Sequence, residues 1–270
     1  APAPARPALW KVADEDTTIY LFGTVHVLPE GIAWFDGAVA EAFAASDTLV
    51  TEVADDADGQ DAQAVLAEMT SLADGETLRG LLGAEEKVAY ESALGQFGLP
   101  LAVLDPFEPW YAAITLSTLP LLREGYEPRH GVEKQLEAEA RARGMAHEGL
   151  ETTRYQLSLF DSLAADVQLR YLSEVVRQLP SIREELAAMV EAWRTGDAEE
   201  LARRMNAQGS DPALMEALLT GRNRQWAAWV EQRLQSPGTV FLAVGAGHLA
   251  GEGSLQDQLA ARAIFADRVQ

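Results

Sequence analysis

Two stretches far apart in the chain repeat one layout: an apolar run, a glycine, two residues and a histidine. The first is Leu21-Phe22-Gly23-Thr24-Val25-His26; the second is Phe241-Leu242-Ala243-Val244-Gly245-Ala246-Gly247-His248. An apolar run bounded by glycine reads as a buried strand, and a glycine at its exit lets the backbone turn sharply or approach a ligand closely. Each imidazole then belongs just past a strand's carboxyl end, where open α/β sheets gather their ligands. His26 and His248 can share one site, and one metal, although 222 positions separate them.

A carboxylate joins them from a third strand, Thr48–Val53, in which a period of two puts Glu52 on the face of Val50. A charge there is costly to bury unless it is paired or bound to a metal. Two histidines and a glutamate form a ligand set used at catalytic zinc and related metals. Glu151 follows a further short strand, Met145–Leu150, as a second acid/base candidate or as a helix N-terminal charge. His147 lies within that strand, close enough in sequence to line the same pocket as a substrate-binding residue. Arg222 and Asn223 sit in the helical stretch Leu218–Leu234, the first to stabilise an oxyanion and the second to bind substrate. His130 reads as a loop residue before a helix.

Composition removes several classes. Against 42 Asp and Glu there are 21 Lys and Arg, a net charge of −21 that argues against nucleic acid as a partner. The absence of cysteine removes thiolate sites, disulfides and a cysteine nucleophile. No run approaches the roughly 18–20 apolar residues of an integral membrane segment. His-Glu-x-x-His, the phosphate-binding P-loop and Gly-x-Ser-x-Gly are all missing, and Gly245-Ala246-Gly247 lacks the third glycine of a dinucleotide fingerprint.

Along the chain, residues 1–7 read as a flexible Pro/Ala leader of the kind left by signal-peptide removal, which implies a periplasmic or secreted protein. Residues 8–270 read as one domain. Ala8–Ala13 and Thr17–Gly23 form a hairpin around Asp14-Glu15-Asp16; Asp36–Ala45 is helical; Asp55–Asp58 is solvated surface; Leu101–Leu104 is an edge strand. Trp110–Leu122 is a helix that Pro120 kinks or ends. Gly131–Gly144 is an amphipathic helix with Val132, Leu136 and Ala140 on one face. A mainly helical region, about 161–235, packs over the sheet, and Thr239–Gly245, a helix from Gly253 to Ala263 and a strand Ile264–Val269 close the fold. The expected class is α/β, a central mixed β-sheet with flanking helices and a helical insertion.

Taken together, Gly23-Thr24-Val25-His26 with Val27-Leu28-Pro29, Glu52, Gly131–Gly144 leading into Leu150-Glu151-Thr152, Gln156, Arg222-Asn223 and Gly245-Ala246-Gly247-His248 resemble the TraB/GumN family. That family includes the Tiki and pheromone-shutdown proteins, and the resemblance runs from Leu21 onward. It implies a compact α/β fold similar to the erythromycin-esterase and ChaN-like folds. From the Tiki relatives it implies a divalent-metal protease supported by manganese or cobalt, with His26, His248 and Glu52 as the matching residues. Two departures stand out: Gly131-Val132-Glu133 where the family often has Gly-x-Asp, and Arg262-Ala263-Ile264-Phe265 in place of a glycine-tyrosine turn.

The expectation is a hydrolase using manganese, cobalt or zinc on a peptide or protein substrate, with Glu52 or Glu151 taking a proton from water. Two other readings stand beside it. One is a module that binds or sequesters a peptide or signal molecule; the other is a metal-independent esterase working through a His and Glu pair.

Overall fold

The computed structural model describes residues 5–54, 62–208 and 211–270. The expected hairpin is β1 (Leu9–Ala13) and β2 (Thr17–Thr24), antiparallel, with Leu9 opposite Phe22 and Ala13 opposite Thr18. Asp14 closes its turn by accepting the Thr17 N–H at 2.8 Å. With β3 (Thr48–Val53), β4 (Ala146–Glu151), β5 (Gly238–Gly245) and β6 (Asp267–Arg268), the sheet order is β4-β3-β5-β2-β1-β6. Strands β2, β5, β3 and β4 run parallel and β1 and β6 antiparallel to their neighbours, so the sheet is mixed and the class is α/β.

Parallel neighbours need crossover helices, which cover both faces of the sheet. Alternation sorts the strand residues accordingly. Phe22, Leu49, Phe241 and Ala243 face a layer made by Phe43, by Val132, Leu136 and Ala140 of helix Val132–Arg143, and by Trp193 of helix Ile182–Thr195. Ile19, Leu21, Val50, Val240, Leu242 and Val244 face Trp226, Ala227 and Val230 of helix Gly221–Arg233, with Leu255 and Leu259 beyond. The first face is rich in rings: Phe22, Trp34, Phe43 and Phe241 stack or meet edge-on at 5.2–5.6 Å, each pair adding about 0.5–1.5 kcal/mol beyond its buried area.

Several expectations change. Residues 161–235 do not form one layer over the sheet. Helix Ala165–Gln178 joins Leu78, Tyr90, Leu94 and Leu116 in a separate core, whereas helices Ile182–Thr195 and Gly221–Arg233 cover opposite sheet faces. Leu101–Leu104 is a run of turns, because its apolar side chains have no strand to pair with. Pro120 does not end its helix, which continues to Arg123. The expected leader is docked from Ala5: its N–H reaches the Ala33 carbonyl and the Arg6 N–H the Arg194 carbonyl. The last strand shrinks to Asp267–Arg268, paired with Lys11 and Trp10. The acidic run Asp55–Asp58 lies outside the described residues.

Candidate functional site

Sheet register brings the three motif ends side by side. Thr24 of β2 lies opposite Gly245 of β5, and Thr51 of β3 opposite Ala243, so both Gly-x-x-His steps and Glu52 leave adjacent parallel strands at one carboxyl edge. The glycines serve close approach here rather than a left-handed turn. Gly23 is within β2 and Gly245 has φ −48°, but a Cβ on Gly23 would lie 3.0 Å from Ala246 Cα and one on Gly245 would lie 3.1 Å from Glu52 Oε1. Trp193 fixes the first exit by donating its indole N–H to the Gly23 carbonyl at 2.7 Å.

Arg222 is the hub beneath this edge. Its helix begins directly after a π-helical turn, Glu216–Thr220, and it points the guanidinium between β3, β4 and the His248 turn. Nε donates to Glu151 at 3.0 Å, Nη2 to Glu151 at 2.7 Å and to Glu52 at 2.5 Å, and Nη1 to the Leu218 carbonyl and to His248 Nε2, both at 3.1 Å. All five of its donors are engaged and the side chain is 9% exposed. This corrects the expected oxyanion role: Arg222 holds the site together and has no N–H left for a substrate.

Glu151 is likewise spent. It is 3% exposed and also accepts from Trp226 Nε1 at 2.9 Å and Gln156 Nε2 at 3.0 Å. With its oxygens filled, it is a buried counterion rather than a general base. Glu52 differs. Oε2 is taken by Arg222 and Gln156, whereas Oε1 has the Gly245 N–H at 2.7 Å and faces His248 Nε2 at 4.0 Å. Burial works against ionisation of Glu52, but the neighbouring positive charge of Arg222 and the Gly245 N–H hold its pKa well below the usual carboxylate range.

The tautomer of His248 follows from its neighbours. Asn223 Nδ2 donates to the Gly253 carbonyl at 2.9 Å, which turns Oδ1 toward His248 Nδ1 at 2.6 Å. Nδ1 therefore carries the proton and Nε2 the lone pair. Burial, the largest influence, pushes the pKa of His248 down to about 3 against the pull of Glu52, so the ring is neutral at ordinary pH. Asn223 orients His248, a different task from the substrate binding expected of it.

His26 is held in the same way from the other face. Its Nδ1 lies 2.7 Å from Glu133 Oε1, which also accepts from Thr24 Oγ1 at 2.5 Å. The Glu133 hydrogen bond and charge raise His26 to about 9, and with the ring 73% exposed, solvent screens that pair. Gly131 makes the contact possible: a Cβ there would be 2.3 Å from the His26 carbonyl oxygen, and the adjacent Val132 N–H bonds to the Val25 carbonyl.

The edge thus assembles His26, Glu52, Glu151, Arg222, Asn223 and His248. His147 is not brought into that hydrogen-bonded group; it lies opposite Leu49, well before the carboxyl end of β4, with Nε2 2.8 Å from Thr51 Oγ1. Sequence reasoning missed Glu133 and Trp226 as members and gave Gln156 no role beyond its place in the motif. Gly131-Val132-Glu133 was the available signal, because a glutamate reaches the imidazole from the helix start where the usual pattern has aspartate.

A profile of the TraB/PrgY/gumN family matches residues 8–266. The chain belongs to that family. Comparison with curated proteins finds no match, and comparison with solved structures finds none either. The family match spans every strand from β1 to β5 and each residue of the hub. No helix among the described residues is long and apolar enough to cross a membrane.

Proposed function

We propose that this TraB/PrgY/gumN-family chain is a hydrolase of peptide bonds, supported by one divalent ion, manganese, cobalt or zinc, at the carboxyl edge of its sheet. The observation that carries the reading is the matched anchoring of two imidazoles. Glu133 holds Nδ1 of His26 and Asn223 holds Nδ1 of His248, which reserves each Nε2 as the donor nitrogen. A metal-binding histidine usually donates its other ring N–H to such a carboxylate or amide partner, which fixes its orientation.

Among the described residues no three His, Asp or Glu side chains already stand in metal-holding geometry; two further grounds favour an ion. Glu52 Oε1 is the hub oxygen least committed to the protein. Glu52 and Glu151 flank the Arg222 guanidinium and Glu133 pairs with His26, so three carboxylates face two cations and negative charge is left in excess. The competing contact is Arg222 Nη1 on His248 Nε2; Arg222 is anchored independently by Glu151. His26 and His248 would hold the ion, with Oε1 of Glu52 beside it. What the ion supplies when bound is a more acidic water and a polarised carbonyl.

The chain's own residues do the rest. Glu52 offers Oε1 as proton acceptor, and Arg222 and Gln156 keep Oε2 in place while it does so. Asn223 and Glu133 hold the two rings in a fixed orientation, removing the reorganisation a loose site would need. A peptide or exposed protein segment is the substrate class this chemistry fits.

The test is metal content and cleavage together. Purified protein and its His26→Ala and His248→Ala variants are loaded with manganese, cobalt or zinc, desalted and analysed, then offered a peptide library. About one ion per chain and cleavage in the wild type, both lost in the variants, supports the proposal. No retained ion under any loading overturns its metal part. A second reading rests on the His26–Glu133 pair, an open imidazole on a carboxylate that would serve as the His and Glu pair of a metal-independent esterase. Ester hydrolysis that survives chelation and fails in Glu133→Gln selects it.

A further inference from the structure

We propose that Trp226 is a positioning residue of the site, its indole face the plate on which the His248 imidazole and the Arg222 guanidinium are seated. The part of this role that concerns an ion rests on the hydrolase reading above, whereas the part that concerns the His248 ring stands on contacts alone. Trp226 follows Arg222 by four positions and Asn223 by three on helix Gly221–Arg233, so the three side chains leave one face of it. All three are buried, with Trp226 2% exposed.

A tryptophan buried for packing alone needs apolar neighbours and one acceptor for its N–H. Trp226 has both: Val50, Leu242 and Val244 are in its cluster, and the acceptor is Glu151 Oε1 at 2.9 Å. Packing does not account for what else lies against the ring. The His248 imidazole has its centroid 4.3 Å from that of the indole, with the planes tilted by 44°. Arg222 Cζ stands 4.7 Å over the same ring, within the range of a cation–π contact.

These contacts restrain what the hydrogen bonds leave free. His248 is held at both nitrogens, by Asn223 Oδ1 at Nδ1 and by Arg222 Nη1 at Nε2. Two bonds at opposite edges of a ring fix its direction, but they resist tilting about the line between them only weakly, since hydrogen bonds accept a spread of angles. An aromatic surface against the ring stops that tilt. An ion at Nε2 would replace the Arg222 contact, leaving Asn223 and the indole as the restraints on the imidazole. Arg222 is restrained in the same two ways, by Glu151 at Nε and Nη2 and by the indole beneath Cζ.

Two substitutions separate the ring face from the indole N–H. Trp226→Phe and Trp226→Leu both remove the bond to Glu151, and only the phenylalanine keeps an aromatic face. The first readout needs no ion: long-range proton–nitrogen NMR spectra of the full chain in EDTA at pH 7 report the tautomer of each imidazole. The chain has four histidines, and the His248 signals are assigned by their loss in His248→Ala. The Nδ1–H form is expected alone in wild type and Trp226→Phe, and averaged with the Nε2–H form in Trp226→Leu. The second readout is manganese affinity, expected within about threefold of wild type in Trp226→Phe and weakened about 10-fold or more in Trp226→Leu, as on losing a group that orients a metal-binding histidine. Trp226→Met, checked by far-UV circular dichroism, replaces the leucine variant if that one does not fold. A lone Nδ1–H tautomer in the folded non-aromatic variant, or equal disturbance of His248 in the phenylalanine and leucine variants, overturns the proposal. Manganese bound equally well by all three proteins overturns the role of Trp226 and leaves the metal reading standing. The expected tautomer pattern with no manganese bound by any of them supports Trp226 and refutes the metal reading alone.

Discussion

Replacing Arg222 with methionine tests whether the guanidinium is the structural hub of the site. The variant keeps most of the side-chain length and removes every donor. Glu151, 3% exposed, would retain the Trp226 indole and the Gln156 amide but lose its only cation, and Glu52 would lose one of its three donors. Breaking a buried ion pair by removing one partner costs about 3–5 kcal/mol, because the remaining charge stays desolvated. Removing both charges avoids that penalty. Arg222→Met with Glu151→Gln should therefore be more stable than Arg222→Met alone, with a coupling of about 2–3 kcal/mol, the upper end for residues in contact. Urea unfolding followed by far-UV circular dichroism at pH 7 measures both. An Arg222→Met variant within about 1 kcal/mol of wild type, or a double variant showing simple additivity, would refute the reasoning.

Three further outcomes follow from the same geometry. Gly131→Ala places a Cβ 2.3 Å from the His26 carbonyl, between two backbones that cannot give way, so it should cost about 1–3 kcal/mol or more in urea and also lower any activity, since it displaces the helix start that carries Glu133. Glu133→Gln should leave the fold intact and weaken metal retention about 10–100-fold, as loss of the group that orients a metal-binding histidine does; an unchanged affinity would show that Glu133 does not orient His26. In the helical core, Arg79 forks onto Asp105 at 2.6–3.1 Å and holds that carboxyl below its usual range. A depressed carboxylate stabilises the fold above its ordinary pKa and ceases to as pH falls through its folded value. The penalty of Asp105→Asn should therefore be larger at pH 6 than at pH 3, and a penalty that grows on acidification contradicts the pairing.

Much of the frame was legible in the linear order of residues. The hairpin, the helix between Gly131 and Gly144, the strand carrying Glu52 and the two Gly-x-x-His steps all depend on periodicity and on glycine, which act locally. The side of β3 on which Glu52 falls was legible too, because a strand alternates its faces whatever packs on them. Leu101–Leu104 was misread because an apolar tetrad becomes a strand only if a neighbour is free to pair with it.

What the sequence by itself determined is the inventory, with the strand ends that present His26, Glu52, Glu151 and His248 together. The tertiary structure alone decided their roles. Glu151 and Arg222 look like reactive groups in the sequence and prove to be saturated by each other and by their other buried partners, since hydrogen-bond saturation depends on groups as far as 71 positions apart in the chain. Glu133 looks like a departure and proves to hold His26, because helix Val132–Arg143 packs its first turn against the exit of β2. Local patterning sets where a side chain leaves the backbone, whereas the partners it meets, and so its charge state and its chemistry, are set by elements brought to it by packing.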